Sequence, residues 1–227
     1  MCYFVVINMN IQYYGHSCFK ITTKSEGKSA DGVVAFIDPF DKKIGLKPPQ
    51  GKADVVFVSH KQHDDHNNVD ALKDSPVVID APGEYSVKGI NVAGIDSFHD
   101  DKEGAQRGRN TIFVLDTEDI RVCHLGDLGT DLSVKQLEKI GNVDVLMIPV
   151  GGNYTIDFKE ATKIAKKLSP AIIIPMHYKM KGTNADISDE KDFCNEVGNC
   201  PKEKVNKINL KKKDLEGKNM EILLMSI

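Results

Sequence analysis

The chain has 227 residues, with 30 Lys and Arg against 33 Asp and Glu and a formal charge of −3. That length suffices for one large α/β domain with a substantial core, and the slight acidity speaks against the basic character of phosphate-backbone binders, leaving only a local patch as a route to nucleic acid. The five cysteines form no CxxC pair, which argues against a disulfide framework and a thiolate zinc site and fits a reducing cytoplasm.

The opening MCYFVVINMN has no basic leader, and no stretch of the chain reaches the ~18–20 apolar residues that span a bilayer. No membrane association is therefore expected. Residues 1–8 read as an upstream extension, because NIQYYGHSCFKI begins a strand-like pattern of its own after Met9. Short β-branched runs bounded by Gly, Pro, Asn or Asp then predict strands at 33–37, 54–58, 77–79, 111–115, 120–125, 143–148, 171–176 and 220–225. TIFVLDTEDIRVCHL reads as a hairpin with DTED as its turn. Helical spacing of apolar residues predicts helices over 131–140 and 157–168, each with an Asp at its start. The lysine-rich stretch 201–218 reads as a solvated surface. Strands early and alternating helix and strand later predict mixed sheets covered by helices, with no internal boundary, so that 1–227 form a single domain.

All seven histidines (His16, His60, His63, His66, His99, His124 and His177) stand at or near the end of an apolar run or in a Gly/Asp turn. Loops at strand ends gather there, which suits a site assembled from several strands. SHKQHDDHN (59–67) packs three histidines and two aspartates directly after the apolar run DVVFV. Imidazole nitrogen and carboxylate oxygen suit Zn²⁺, Mn²⁺ and Fe²⁺, so this cluster without cysteine pairs favours an open metal site. The plainer alternative is a polar loop capping a helix that begins near Asn67.

The motifs GHSCF, IDPF, SHKQHDDHN, APGEY, FHD, RGRNTIF, HLGDLG, MIPVGGNYTID and IIPMHY follow one another in this order. Their succession resembles the metallo-β-lactamase fold superfamily, and in particular its branch of Zn-dependent hydrolases that includes L-ascorbate-6-phosphate lactonase-like proteins. The resemblance implies a four-layer αββα sandwich and a two-metal site. His60, His63 and His99 would bind one metal, Asp65, His66 and His177 the other, and Asp127 would bridge them. Zinc comes first among the two divalent cations, with manganese or iron as alternatives. The family pattern is His-x-His-x-Asp-His, whereas His60 here precedes His63 by three residues. A strand bulge could keep His60 in place, Lys61 could stand in the first position, where an ammonium of pKa ~10.4 cannot coordinate without losing its proton, or Gln62 could offer an amide oxygen. The bulge is favoured.

Two cations so held would acidify a shared water and polarise the bond attacked. Asp127 and Asp65 would be the catalytic carboxylates, Asp65 both ligating and orienting the water. The resemblance gives Asp38 a hydrogen bond near the metal loop and sets His16 and His124 near the site mouth as orienting or substrate-contacting residues. On their own residues, Asp38 reads equally as an Asp-Pro turn and the two histidines as satisfied structural ones. The expectation is a hydrolase of a lactone or phosphoester in a small-molecule substrate. A nuclease or phosphodiesterase of the same fold, and a non-catalytic metal-binding protein with a degenerate site, are the alternatives. Oligomeric state is not legible in the sequence.

Overall fold

The computed structural model describes residues 9–23, 32–62, 66–198 and 200–227. The proposed extension, residues 1–8, lies outside them. In chain order the strands are β1 (Met9–Gly15), β2 (Cys18–Thr23), β3 (Val33–Ile37), β4 (Gly51–Lys52), β5 (Val55–Phe57), β6 (Leu72–Lys73), β7 (Val77–Ile79), β8 (Gly83–Val87), β9 (Ile90–Phe98), β10 (Arg109–Thr117) and β11 (Ile120–His124). Helix α1 (Val134–Ile140), β12 (Val145–Pro149), α2 (Phe158–Leu168), β13 (Ile172–Met176), α3 (Lys191–Val197), β14 (Lys207–Leu210) and β15 (Glu221–Ile222) complete the chain.

Two mixed sheets stack face to face. The first has the order β14-β1-β2-β3-β5-β7 and the second β15-β13-β12-β11-β10-β9-β8. Their facing sides share one core, in which Ile11, Phe19, Ile21, Ala35 and Phe57 meet Val92, Phe113, Leu115, Val122, Met147 and Ile174. Phe57 and Phe113, one from each sheet, lie 5.3 Å apart between ring centroids; truncating either to Ala is expected to cost ~3–5 kcal/mol. The outer face of the second sheet is covered by the three helices through Ile140, Ala161, Ile164, Ala165, Leu168 and Phe193. Over the first sheet the outer layer consists of 3-10 turns at Lys42–Ile44 and Val69–Ala71 and the β4–β6 ribbon, anchored by Phe36, Phe40, Ile44, Leu46 and Leu72. The four layers are present, with short turns in place of long helices on one side.

Local chemistry explains the element boundaries. Asp157 caps α2 by accepting from Lys159 and Glu160 N–H, while Glu160 reaches back to Asp157 N–H. Helix α1, expected to start at an Asp, starts instead after Ser133, which forms a capping box with Gln136. Asp131 is engaged elsewhere, its carboxylate taking Leu132 N–H and the Lys167 ammonium. The β10–β11 hairpin turns on Glu118 and Asp119, both at positive φ, as a two-residue turn matched to strand twist requires. The helix expected near Asn67 is a single 3-10 turn, Val69–Ala71. The lysine-rich stretch also does more than meet solvent: it supplies β14, which pairs with β1, and buries Leu210 and Leu215 in the inter-sheet core. No described helix is long and apolar enough to cross a membrane.

Topology gathers the polar loops at one edge. Strands β11, β12 and β13 run parallel, so their C-terminal ends lie side by side. β10 is antiparallel to both neighbours, and Arg109 at its start pairs with Phe98 at the end of β9. In the first sheet β3 and β5 are parallel, while Phe19, next to the β1–β2 turn, pairs with Ile37. The loops after β3, β5, β9, β11 and β13 and the β1–β2 turn therefore open on a common rim.

Candidate metal centre

Asp127 stands at the centre of that rim, in the loop after β11. Its Oδ1 lies 3.4 Å from His66 Nε2, and its Oδ2 lies 3.4 Å from His99 Nε2 and 3.1 Å from His177 Nε2. Two groups of ligand-type atoms share it, each within 4.8 Å: His16, His66, His177 and Asp127 form one, His60, His99 and Asp127 the other. None of the six is more than 4% exposed. The rings are close-packed, with centroids 4.2 Å apart for His16 and His177 and 4.4 Å for His60 and His66.

His63 and Asp65, two of the expected ligands, lie outside the described residues. His60 is brought into the cluster, though not by a strand bulge. The β5 ladder ends at Phe57, and His60 sits beyond it in a loop. Lys61 points outward to an ion pair with Asp80 at 2.5 Å, and the Gln62 side chain lies against Gly108. His16, expected near the mouth, is instead inside the group formed with His66, His177 and Asp127.

A metal fits this pocket. Among the described residues His16 Nδ1, His177 Nδ1 and both ring nitrogens of His66 make no hydrogen bond although they are buried. Leaving such groups unsatisfied costs ~1–3 kcal/mol each, and nitrogen lone pairs around a shared carboxylate are a donor set for borderline divalent cations. Burial, reinforced by His177, drives the His16 pKa down to about 3, and burial likewise holds His66 well below its usual value against the pull of Asp127. Burial would raise Asp127, but the neighbouring His177 and His66 hold its carboxyl well below the usual range. Anionic Asp127 beside neutral His16 and His66 is the protonation state that metal binding needs of these three residues.

A second buried network holds the cluster from behind. Asp38 accepts from Ser59 N–H at 2.7 Å and Ser59 Oγ–H at 2.8 Å; burial pushes its carboxyl up, and these two bonds oppose the push. With the Ser59 proton on Asp38, Ser59 Oγ accepts from His60 Nδ1–H at 3.0 Å, which directs His60 Nε2 as the lone-pair nitrogen. His124 accepts Gly126 N–H on Nδ1 and donates Nε2–H to the Ser17 carbonyl, so it is neutral and fully satisfied. Burial drops its pKa to about 4. Ser17 Oγ in turn donates to Asp127 Oδ1 at 3.0 Å, and Asn110 Oδ1 accepts Asp127 N–H. His124 thus acts through Ser17, away from the cavity. Ser17, Ser59 and Asn110 escaped the sequence reading, because serine and asparagine at strand ends carry no signal of their own.

Backbone geometry at the site is strained. His16, Asp38 and His177 have φ of 56°, 48° and 50°, a left-handed conformation that costs non-glycine residues ~1–3 kcal/mol each. Tyr13 Oη–H and His177 N–H both donate to the His16 carbonyl, locking two of the three together. The glycines flanking Asp127 in GDLG let it approach: a Cβ on Gly126 would lie 2.3 Å from Asn110 Oδ1, and one on Gly129 2.2 Å from the His99 carbonyl carbon.

Asp100 shapes the adjoining loop by accepting four backbone N–H groups, from Lys102, Gly104, Gln106 and Arg107. Burial would raise its pKa, but those bonds together hold it at about 2. Above the cluster opens a cavity of about 380 Å³, its upper wall formed by Lys43, Ile44, Arg107, Tyr154, Asn184 and Ala185. That volume suits a small molecule.

Stacked mixed sheets with a rim of buried histidines around one aspartate define a metal-site protein of α/β class. The sequence profile of the beta-lactamase superfamily domain matches residues 10–177, and the chain belongs to that superfamily. A Thermotoga maritima protein of the metallo-β-lactamase superfamily, whose Zn-dependent hydrolase activity is an inferred one, is 37% identical in sequence. The alignment covers 96% of this chain and 98% of that one, with a TM-score of 0.72. A metal-dependent hydrolase of Thermoplasma acidophilum is 28% identical over 197 residues, 75% of this chain and 84% of the relative. One from Methanopyrus kandleri is 27% identical over 221 residues, 83% of this chain and 91% of the relative.

Proposed function

We propose that this chain is a metal-dependent hydrolase that binds two divalent cations and cleaves an ester-like bond, a lactone or phosphoester, in a small molecule. The observation that carries the reading is the convergence of two histidine groups on one carboxylate, Asp127. His60, His99 and Asp127 would hold one cation; His16, His66, His177 and Asp127 the other. His63 and Asp65 keep the ligand roles their motif suggests, Asp65 also orienting water. Zinc is the first choice of metal, manganese or iron the next. Bound cations supply Lewis acidity and lower the pKa of water toward neutrality.

The chain's own contribution is positioning. Ser17 Oγ and the Asn110 side chain fix Asp127, so both carboxylate oxygens stay turned to the imidazoles. The Asp38–Ser59 pair keeps the His60 proton on Nδ1. Burial keeps His16 and His66 neutral, so no proton competes for their lone pairs near pH 7. The relatives' common description as metal-dependent hydrolases supports the reaction class, and the lactonase-like branch the motifs resemble makes lactones the first compounds to try. The irregular spacing of SHKQHDDHN is what suggests a degenerate site, and the position of His60 beside His99 and Asp127 weakens that alternative.

The test is metal content by elemental analysis on protein purified without chelators, with turnover of a panel of lactones, phosphodiesters and thioesters. Asp127→Ala is expected to lower both metal content and rate, the rate by more than the ~10–100-fold that outer partners of a metal site cost. Equal turnover in wild type and Asp127→Ala would overturn the proposal.

A further inference from the structure

The chain has three arginines. Arg109 is paired with Asp96, and Arg121 with Asp116. Arg107 is different: among the described residues no carboxylate pairs with it, and it lines the cavity beside His60, His99 and Asp127. It is also held in place. Its backbone N–H is bound by Asp100 at 2.6 Å, its Nη2 donates to the Asn153 carbonyl at 3.1 Å, and its guanidinium lies 5.7 Å over the Tyr154 ring. These contacts leave Nε and Nη1 without an acceptor among the described residues. A guanidinium fixed in this way presents a planar fork that matches a carboxylate or phosphate, and being already ordered it loses little entropy on binding. Lys43 adds positive charge to the same cavity wall, while Ile44 and Ala185 supply apolar surface.

We propose that Arg107 seats an acidic group of the substrate, carboxylate or phosphate, so that the cavity takes small amphipathic anions whose cleaved bond lies over Asp127. The assignment rests on the reading of this cavity as a hydrolase site, and binding can be read without turnover.

Hexanoate, hexyl phosphate and neutral hexanol are titrated calorimetrically into zinc-loaded full-length protein, wild type and Arg107→Gln. The two anions bind and hexanol does not. Arg107→Gln weakens the anions by at least about tenfold, as loss of a charge-assisted pair implies. Arg107→Lys, which keeps the charge without the fork, restores part of the affinity. Tyr154→Leu, which removes the face under the guanidinium, weakens them by a smaller factor. The tighter of the two anions identifies the acidic group. Circular dichroism and metal content verify that each variant is folded and loaded, and Arg107→Lys and Tyr154→Leu carry the test if Arg107→Gln fails that check. Affinity unchanged in Arg107→Gln would place the anion on the metal and overturn the assignment, as would no binding of either anion to wild type. Turnover of the panel of lactones, phosphodiesters and thioesters by wild type and Asp127→Ala is measured in parallel. Arginine-dependent binding without turnover removes the hydrolase reading and leaves the seat; turnover with arginine-independent binding does the reverse.

Discussion

Two buried polar networks meet at Asp127, and they differ in how they are satisfied. In the one formed by Asp38, Ser59, His124, Ser17 and Asn110, both nitrogens of His124 and both oxygens of Asp38 have protein partners. In the other, His16, His66 and His177 together carry four buried nitrogens with no hydrogen bond among the described residues. Burying a polar group without a partner is costly, so the first network is scaffold, whereas among the described residues the second keeps unsatisfied nitrogens of the kind a divalent cation takes. Equal burial hides this difference; only the partner of each atom reveals it.

The largest expected effect tests that division directly. A cation at ~1,000 times its Kd adds ~4 kcal/mol to stability, which for a chain of this size raises the Tm by about 8–16 °C. His66→Ala abolishes most of this zinc-induced shift in a thermal melt begun from chelated protein, and His124→Gln retains it. An undiminished shift in His66→Ala would erase the distinction between the networks.

A middle-sized effect belongs to the scaffold. His124 titrates near pH 4 when folded and near 6.5 when unfolded. Between those values the unfolded chain binds a proton that the folded protein refuses, so stability is full above pH 6.5 and falls as pH drops toward 4, by about 3 kcal/mol for this residue. In chelated protein, urea unfolding of His124→Gln is expected to show a deficit of ~1–3 kcal/mol at pH 7 from its altered hydrogen bonds. The deficit shrinks at pH 4.5, where the wild type has lost its histidine-dependent part. A constant deficit at both pH values would contradict the neutral, doubly bonded His124.

The smallest effect concerns a residue in neither network. Lys61 sits among the ligands in sequence, but its side chain is 58% exposed and paired with Asp80. Lys61→Ala should change stability by less than ~1 kcal/mol and leave metal content as in wild type. A loss of metal would place the lysine in the site after all.

Much of the frame could be read from residue pattern. The β-branched runs at 33–37 and 77–79 coincide with β3 and β7, and the Asp157 start of α2 carries its capping box as composition suggests. Strands β8 and β9 are not legible because Gly83, Glu84 and Ser86 in the one and Asn91, Gly94 and Asp96 in the other interrupt their apolar positions; at Gly94 a Cβ would come within 2.9 Å of the Ala81 carbonyl oxygen. The start of α1 was misplaced because Asp131 and Ser133 are both good caps, and the choice between them was made by Lys167, thirty-six residues away from Asp131. At the site, His60, His66, His99, Asp127 and His177 were visible as residue types able to ligate. Ser17, Ser59 and Asn110 were not, since their importance lies wholly in the hydrogen bonds they make.

The sequence alone determined the chemistry available: histidines and aspartates at strand ends, no cysteine pairs, and a succession of motifs that specifies the superfamily. Periodicity and residue type are local properties, and they suffice for that. Only the tertiary structure decided which imidazoles share Asp127, that His16 joins them while His124 turns away to Ser17, and that Lys61 leaves while His60 enters. Those choices depend on strand order and on left-handed backbone at His16, Asp38 and His177. Both arise from packing two sheets together, which no short window of residues contains.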